Sequence, residues 1–297
     1  MNSTKGKIVL AGGTGFIGSC LTKQFNRLGY QVVIVSRWPP FVQWKDEKAL
    51  IHSLEGSGLV VNLAGKSVDC RYNQRNRDEI IQSRIETTSK LGEAISNCVN
   101  PPELWINLST ATIYRDALDR EMTEAHGELG KGFSVEVATR WEETFFSFRL
   151  SKTRLVALRT AIVLGRNARL VKMNANLVKY GLGGMQGNGR QMFSWLHIDD
   201  LVRIIQFIWE NPALSGIYNA SSPNPVTNKQ FMQTFRRIKG VRFGFPVPAW
   251  ILGTGAFFLR TEPELVLKSR WVLPDRLIKH GFIFKYPDLE QALKSVT

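Results

Sequence analysis

The sequence predicts an α/β protein built on a doubly wound parallel sheet. Strand-like apolar runs alternate with helix-period segments through residues 1–165, and a glycine-rich turn joins the first strand to the first helix. This alternation is typical of parallel strands that are connected by helices packed on the faces of the sheet. The alternation stops after Gly165. We therefore expect a second, smaller domain in the C-terminal part of the chain.

The first turn has the glycine spacing of a diphosphate-binding loop. An apolar run at residues 8–11 is followed by Gly12, Gly15 and Gly18, and a helix-period pattern begins directly after them. Gly12 and Gly15 let the backbone turn tightly and approach a pyrophosphate, and Gly18 lets the helix pack closely on the strand. The free N–H groups at the helix N-terminus attract the anion. A glycine-rich turn without a ligand is the alternative, but motif, position and context together favour a dinucleotide site.

The end of the second predicted strand indicates which dinucleotide binds. Residues 31–35 are strand-like and lead into Ser36 and Arg37. NAD-binding folds usually carry Asp or Glu here to hold the ribose hydroxyls, whereas a hydroxyl and a guanidinium suit a 2′-phosphate. The sequence therefore predicts NADP(H) over NAD(H), unless Arg37 is simply a solvated surface residue.

The later segments define the predicted domains. Strands and helices are predicted in alternation, at residues 59–65, 81–95, 104–109, 135–148 and 155–164. They are followed by a helix at 170–180, a loop at 181–190, a helix capped by Asp199 and Asp200, and a strand at 216–220. We predict a nucleotide-binding domain of residues 1–165 plus about 196–222. A small, mainly helical substrate-binding domain is predicted for about 166–195 plus 223–297.

The composition limits the class of protein. The 297 residues carry a formal net charge of +14 with a pI near 9.9, but the charges are scattered and no zinc-finger, homeodomain or RNP pattern appears. A polyanionic cofactor explains this bias more economically than nucleic acid does. Cys20, Cys70 and Cys98 are far apart and lack metal-ligand spacing, so we expect reduced thiols, no metal site and a cytoplasmic protein.

Two segments bear on export and on membranes. The N-terminus runs straight into the first predicted strand, which leaves no room for a signal peptide. The most apolar window, residues 243–259, is 17 residues long and contains two prolines and three glycines. It is too short and too interrupted for a membrane span, so a buried helix or a lid is predicted there.

Eight motifs along the chain resemble one protein family. In order they are GGTGFIG at 12–18, VVNLAGKSV at 60–68, QSRIETT at 82–88, STATIY at 109–114, RWEE at 140–143, GNGRQMFSWLHIDDLV at 187–202, SGIYNASSPNPVTN at 215–228 and KHGFIFKYPDLEQAL at 279–293. The chain thereby resembles, over essentially its whole length, the extended short-chain dehydrogenase/reductase superfamily and its atypical "epimerase family protein" branch. The resemblance implies a Rossmann-type sheet, a pyridine dinucleotide and a small-molecule substrate cleft against the C-terminal domain. Many relatives pair through helices of the Rossmann domain, which leaves a homodimer open.

The expected dinucleotide contacts come from the glycine turn, the strand ends and the long third helix. They are Gly12, Thr14, Gly15, Phe16, Ile17, Gly18, Ser36, Arg37, Leu63, Ala64, Gly65, Arg84, Ser109, Ala161 and Val163.

The usual catalytic pair of the superfamily is missing from this sequence. Its members use a Tyr as general acid and base, beside a Lys four residues later that lowers the pKa of the phenol. Alignment on Trp141 places Ser134 and Ala138 at these positions and Arg84 near that of the usual Asn. Only the substrate-orienting hydroxyl survives, as Thr110. Hydride exchange stays open because that chemistry belongs to the cofactor.

Three residues are candidates for the missing proton transfer. Glu136 lies in the helix that normally carries the Tyr and the Lys, His197 follows a strand-like segment, and Tyr114 lies four residues after Thr110. The alternatives are that Glu136 is a solvated helix residue and that His197 supports the turn at Asp199.

The substrate contacts also depart from the family pattern. Nucleotide-sugar enzymes carry a phosphate-gripping Arg where this chain has Phe193. Arg190 is the candidate for that anion contact, unless the substrate carries no nucleotide. The rings of Trp195, Trp44 and Tyr72 would suit stacking on a flat or hydrophobic ligand, and core or rim packing is the alternative for these rings. Tyr114 is a further predicted substrate contact.

Two functions remain open at this stage. The first is an NADP(H)-dependent oxidoreductase or epimerase acting on a small carbonyl or sugar-like compound. The second is a catalytically silent NADP(H)-binding regulatory protein, which the missing Tyr and Lys would favour. Binding to nucleic acid is a distant third, because charge alone is weak evidence for it.

Overall fold

The computed structural model describes residues 5–250 and 267–297. The strands, in chain order, are β1 (Lys7–Ala11), β2 (Gln31–Ser36), β3 (Val42–Gln43), β4 (Leu59–Asn62), β5 (Leu104–Asn107), β6 (Arg154–Thr160), β7 (Ile162–Leu164), β8 (Met192–Phe193), β9 (Trp195–His197), β10 (Gly216–Ala220) and β11 (Val226–Thr227). The helices are α1 (Phe16–Arg27), α2 (Glu47–Leu54), α3 (Gln74–Ser96), α4 (Phe133–Ser147), α5 (Arg169–Lys179), α6 (Ile198–Glu210), α7 (Asn228–Ile238), α8 (Asp275–Lys279) and α9 (Leu289–Val296). A 3₁₀ turn covers Ala111–Ile113.

Seven strands form one parallel sheet. Their order across the sheet is β3–β2–β1–β4–β5–β6–β10, and every neighbouring pair is parallel. The chain therefore runs outward from β1 in both directions, and the order reverses between β1 and β4. In open sheets of this kind, ligands bind at the carboxyl ends of the strands beside the reversal. The predicted fold class, a Rossmann-type doubly wound sheet, is confirmed.

Both faces of the sheet are covered, because successive side chains of a strand point to opposite faces. On β1, Ile8 and Leu10 face the layer formed by α1 and α6, whereas Val9 and Ala11 face the layer formed by α2, α3 and α4. All four side chains are fully buried. Burial on both faces explains why the strands read as continuous apolar runs in the sequence.

The C-terminal elements form a separate apolar cluster. Helices α5, α7 and α9 pack together around Trp195, Phe231 and Leu293. The predicted strand at 155–164 is divided at Ala161, so that β6 stays in the main sheet and β7 pairs with β9. The division of the chain into two domains at the predicted boundaries remains a prediction.

Some elements were not expected from the sequence. Strand β3 and helix α2 are short, and neither was predicted from the sequence. The predicted buried helix or lid at 243–259 lies partly outside the described residues. Within 5–250 and 267–297, no helix is long and apolar enough to cross a membrane.

Candidate functional site

The glycine turn between β1 and α1 leaves open space above its middle glycine. Gly12 has a φ of +79°, and a Cβ there would lie 2.8 Å from the backbone of Ala64, so the close approach of the two loops requires glycine. At Gly15 a Cβ would meet no heavy atom within 4 Å. Helix α1 begins directly after Gly15 without a side-chain cap and without an acidic residue in its first turn. Its first N–H groups are therefore available to an anion such as a phosphate.

A cavity of about 380 Å³ extends from this turn along the carboxyl ends of β4 and β5. A second cavity, of about 340 Å³, adjoins it, because Phe16 and Thr110 line both. The predicted residues in the lining of the first are Gly12, Gly15, Phe16, Ile17, Gly18, Leu63, Ala64, Gly65, Arg84 and Thr110. Those in the lining of the second include Ser109, Ala161 and Val163. The structure thus brings most of the predicted cofactor residues into one cleft.

Three predicted cofactor residues lie at the edge of the cleft rather than in its lining. Thr14 is exposed in the glycine turn. Ser36 ends β2 and is buried, and its Oγ accepts the N–H of Trp38 at 3.4 Å. Arg37 follows it and is exposed. The Gly12 N–H donates to the carbonyl of Val35 at 2.8 Å, which holds the end of β2 beside the glycine turn.

Arg84 of α3 is fixed at the wall of the first cavity. Its Nη1 donates to the carbonyl oxygens of Ile80 at 2.9 Å and of Lys66 at 3.2 Å, and its guanidinium lies 5.1 Å from the ring centre of Trp141. A Cβ on Gly65 would lie 3.1 Å from the guanidinium carbon, so the glycine makes room for this packing. Burial lowers the pKa of Arg84 to about 10, which leaves it charged at neutral pH.

The charge of the cleft is positive. Lys66 also lines the first cavity, but Glu79 neutralises it, and hydrogen bonds from Lys66 and Arg75 lower the pKa of Glu79 to about 2. Within the described residues no carboxylate forms an ion pair with Arg84. Among those residues, neither cavity has an Asp or a Glu in its lining.

Ser134, which the alignment on Trp141 predicts at the position of the usual catalytic Tyr, lines the first cavity. Its Oγ is buried and has no hydrogen-bond partner within the described part of the chain. Phe133, Val137 and Trp141 form the wall around it. Ser134 was not among the site residues predicted from the sequence. Its spacing to Val137 and Trp141, three and seven positions, was the available signal, because such positions share one helix face.

A buried polar network lies beneath the floor of the cleft, at the end of β5. The Oγ of Ser109 donates to Glu142 at 2.6 Å, and Glu142 accepts two hydrogen bonds from Arg159, at 2.7 and 3.0 Å. The backbone thus held leads into Thr110, whose Oγ1 accepts the N–H of Thr112 at 3.2 Å and lies 3.0 Å from its hydroxyl. The hydroxyl of Thr110 therefore reaches the junction of the two cavities.

Glu136 does not face the cleft. It lies on the exposed side of α4, where its carboxylate pairs with Arg140 at 2.8 Å, and 45 % of its side chain is exposed. Glu136 follows Ser134 by two positions, and two residues span about 200° of helix, so the two side chains point in opposite directions. The prediction that Glu136 serves the cleft is wrong.

His197 does not face the cleft either. It is 3 % exposed, its Nδ1 accepts the N–H of Asp199 at 3.0 Å, and its Nε2 lies 2.9 Å from Ser295 Oγ. The ring centre of Tyr286 lies 3.9 Å from that of the imidazole, with the two planes tilted by 37°. Burial lowers the pKa of the imidazole. The residue caps α6, as the alternative interpretation had it, and its expected place at the cleft is wrong.

Of the predicted substrate residues, Tyr72 lines the first cavity, whereas Tyr114, Trp195 and Arg190 line neither cavity. Tyr114 is buried, donates to Asn219 at 2.8 Å, and has its pKa raised by burial. Trp195 is fully buried and donates to the carbonyl of Asn224 at 3.1 Å. Both rings belong to the core, which is why they cannot stack on a ligand. Arg190 lies exposed in the loop before β8 and is not part of either lining.

The described residues contain no group of three or more His, Cys, Asp or Glu side chains that could hold a metal ion.

Comparisons with known proteins agree with this architecture. The sequence profile of the NAD dependent epimerase/dehydratase family matches residues 8–221, and that of DUF1731, a domain of unknown function, matches residues 247–296. The chain is 33 % identical to human epimerase family protein SDR39U1, covering 98 % of this chain and 99 % of the relative. Epimerase family protein YfhF of Bacillus subtilis is also 33 % identical, with 97 % of each chain covered.

Solved structures show the same fold. Human SDR39U1 (isoform 2), crystallised with NADPH, superposes with a TM-score of 0.88 over 98 % of each chain, at 33 % identity. The nucleoside-diphosphate sugar epimerase of Corynebacterium glutamicum has a TM-score of 0.78 at 26 % identity, covering 98 % of this chain and 58 % of that one. From its sequence and its fold, this chain belongs to the NAD-dependent epimerase/dehydratase family, among the atypical extended short-chain dehydrogenase/reductase proteins called epimerase family proteins.

Proposed function

We propose that this protein binds NADP(H) and transfers hydride between it and a small carbonyl or sugar-like compound. The observation that carries the proposal is the open space above Gly15, bordered by the uncapped N-terminus of α1. A diphosphate fits this arrangement because it needs both close backbone approach and unpaired N–H donors. The human relative crystallised with NADPH supports the same assignment.

The preference for NADP(H) over NAD(H) rests on the end of β2. Arg37 is exposed beside the glycine turn, and Ser36 precedes it in place of the acidic residue that would hold a ribose diol. A guanidinium binds a 2′-phosphate through charge-assisted hydrogen bonds, whereas a carboxylate there would repel it.

We place the diphosphate of the cofactor in the first cavity and its nicotinamide in the second. Arg84, with Nη1 held by two backbone carbonyls, has its remaining donors for the diphosphate or the adjoining ribose. Ser109, Ala161 and Val163 surround the second cavity, where we place the nicotinamide. Bound there, the nicotinamide supplies a hydride. The hydroxyl of Thr110, at the junction, orients the carbonyl of the substrate.

Proton transfer in this cleft falls to hydroxyl groups. Ser134 presents a hydroxyl without a hydrogen-bond partner in the described part of the chain, at the position that the sequence aligns with the phenol of the superfamily. Arg84, on the facing helix α3, supplies a fixed positive charge to the same cavity. The apolar side chains of Phe133, Val137 and Trp141 line the cavity around the Ser134 hydroxyl. This hydroxyl can pass a proton from solvent to a carbonyl oxygen as that oxygen gains electrons, so that Ser134 is neutral before and after the step.

The test is NADPH oxidation across a panel of small aldehydes, ketones and keto sugars. We expect Ser134→Ala to lower kcat about tenfold or more on any active compound, because a positioned proton donor contributes at least that much. Glu136→Gln is the matched control on the same helix and should leave turnover unchanged. Equal loss in both variants, or none in Ser134→Ala, contradicts the assignment of Ser134.

A catalytically silent NADP(H)-binding regulator is the second candidate function. The observation that favours it is that α4 lines the first cavity with Ser134 and apolar side chains, and with no Tyr or Lys. Tight NADPH binding without turnover on any compound of the panel would support this role and contradict the first.

Two further predictions from the sequence accompany the proposal. We infer a cytoplasmic location, to be checked by fractionation of the expressed protein. The homodimer that the sequence leaves open is to be checked by light scattering on the purified chain. A small molecule rather than nucleic acid is the proposed partner, and DNA or RNA affinity that falls with salt would contradict this.

A further inference from the structure

The excess positive charge of the protein lies in two segments of the chain. Residues 144–198 and 211–250 contain 14 Lys and Arg and no Asp or Glu, whereas the rest of the chain has 25 basic and 25 acidic residues. The cations predicted or found at the cofactor cleft, Arg37, Lys66 and Arg84, are outside both segments, so the cofactor does not account for this excess. Helices α5 and α7 belong to the two segments and pack against each other. A region of one charge sign attracts surfaces of the opposite sign.

Four exposed apolar side chains lie where α5 ends and where the chain has left α7. They are Tyr180, Leu182, Phe243 and Phe245, which we call the apolar patch. The exposed fraction is 75 % for Tyr180, 85 % for Phe243 and 72 % for Phe245. Neighbouring apolar side chains that remain in solvent indicate a binding surface.

The backbone holds the two parts of the apolar patch together. The Phe245 N–H donates to the carbonyl of Gly181 at 2.8 Å. A Cβ on Gly244 would lie 2.6 Å from the backbone of Gly183, so Gly244 faces the loop after α5. Phe243 and Phe245 point the other way, because successive side chains of an extended backbone alternate. The two rings are therefore presented side by side to solvent.

Three cations surround the apolar patch. Lys179 directly precedes Tyr180, Arg242 directly precedes Phe243, and Lys172 is exposed seven positions before Lys179 on the same face of α5. None of the three cations forms an ion pair within the described residues. Two other cations of these segments do form ion pairs: Arg169 with Asp69, and Arg237 with Glu290. The charge beside the patch is thus available to an external anion.

We propose that the apolar patch and these three cations bind the surface of an anionic lipid bilayer. Aromatic and aliphatic side chains enter the boundary between headgroups and acyl chains, and Lys and Arg meet the anionic headgroups. The protein would lie on the membrane and not span it. None of the seven side chains lines either cofactor cavity, so the inference is independent of the proposed function.

The composition of the patch favours a bilayer over other partners. Single-stranded nucleic acid stacks its bases on aromatic rings, but the aliphatic Leu182 offers no ring to a base. A bilayer accepts any apolar side chain. A second copy of this chain is disfavoured, because pairing through this face would bring the unpaired cations of both copies together.

The test is co-sedimentation of the full-length protein with lipid vesicles. Vesicles of phosphatidylcholine alone are compared with vesicles of equal parts phosphatidylcholine and phosphatidylserine. Wild-type protein should bind the anionic vesicles about tenfold or more tightly than the neutral ones, because each cation gains from the negative surface potential. Phe243→Ser combined with Phe245→Ser should lower the affinity for anionic vesicles about tenfold or more, because less apolar surface enters the interface.

A pair of charge reversals separates the local charge from the net charge. Lys179→Glu combined with Arg242→Glu should lower the affinity for anionic vesicles about tenfold or more. Lys48→Glu combined with Lys90→Glu gives the same net charge from exposed positions on α2 and α3. This control should change the affinity by less than about twofold, because distant charges are screened by salt.

Val99→Ser is the control for the apolar substitutions, since Val99 is 77 % exposed in the loop before β5, outside the two basic segments. Equal binding of both vesicle types, or patch variants that bind anionic vesicles like their controls, would overturn the inference. Affinity for single-stranded DNA that the patch variants lose, without vesicle binding by wild-type protein, would overturn it in favour of a nucleic-acid surface. The NADPH Kd of every variant should equal that of wild-type protein, which shows that the fold is intact.

Discussion

Replacing Gly15 by alanine separates cofactor binding from folding. The backbone of Gly15 is extended, with φ of −79°, and a Cβ would meet no heavy atom within 4 Å. The folded protein can therefore accept the methyl group without strain. The gain of about 0.4–1 kcal/mol from a less flexible unfolded chain offsets the poorer N-cap that alanine provides. We expect the free energy of unfolding to change by less than about 1 kcal/mol.

The same methyl group would occupy the space that the diphosphate needs. Forcing one extra carbon into a packed contact costs about 1–3 kcal/mol. A loss of about 2 kcal/mol corresponds to a Kd for NADPH raised about 30-fold. The assay is a fluorescence titration with NADPH, run beside urea unfolding of the same samples.

Gly18→Ala is the matched comparison within the same motif. Its Cβ would press against the backbone carbonyl of Gly13, so this variant should lose stability, in contrast to Gly15→Ala. If Gly15→Ala binds NADPH with the wild-type Kd, the diphosphate does not lie above this turn and the proposed function is wrong.

Three further predictions concern other parts of the site. Arg37→Ser should weaken NADPH binding about tenfold and leave NADH binding unchanged, since one charge-assisted contact is lost; equal effects on both cofactors in a titration would contradict the NADP preference. His197 has a pKa lowered by burial from its ordinary 6.5, so the unfolded chain takes up the proton first and stability falls as pH drops below about 6.5. His197→Asn should flatten that fall in urea unfolding at pH 7 and 5 without changing NADPH affinity. Glu142→Gln should cost about 3–5 kcal/mol in urea unfolding, because Arg159 would keep a buried charge without its partner; a loss below 1 kcal/mol would contradict the network.

The sequence predicted the sheet and the cofactor side of the cleft because their signals are local. The run from Ile8 to Gly18 sets a strand, a turn and a helix through neighbouring residues, and the fold places the loops after β4 and β5 at the same edge. Strand β3 and helix α2 were missed because both are short, and β3 pairs at the edge of the sheet.

The acid and base candidates predicted from the sequence, Glu136 and His197, do not line the cleft. The reason lies in contacts that sequence position alone does not reveal. Alignment on Trp141 located the right helix, but helix rotation decides which of its residues meets the cleft, and that favours Ser134 over Glu136. For His197 and Trp195 the deciding partners, Ser295 and Asn224, lie about a hundred and about thirty positions away. Such tertiary contacts can be seen only after the chain is folded.

The described lining of the cleft determines which of its groups can move a proton. Epimerisation begins by removing a proton from a hydroxyl group, which requires a base with a pKa near the working pH. The described lining offers hydroxyl groups and cations but no carboxylate or imidazole. Its one Tyr, Tyr72, has its ring centre 4.7 Å from that of Phe133 and interacts electrostatically with Arg84. Reduction needs a donor that gives a proton to an oxygen already gaining charge, and the proposed donor is Ser134, which lines the same cavity as Arg84. Because the donor in reduction is the base in the reverse oxidation, Ser134→Ala should slow carbonyl reduction by NADPH and alcohol oxidation by NADP⁺ by the same factor.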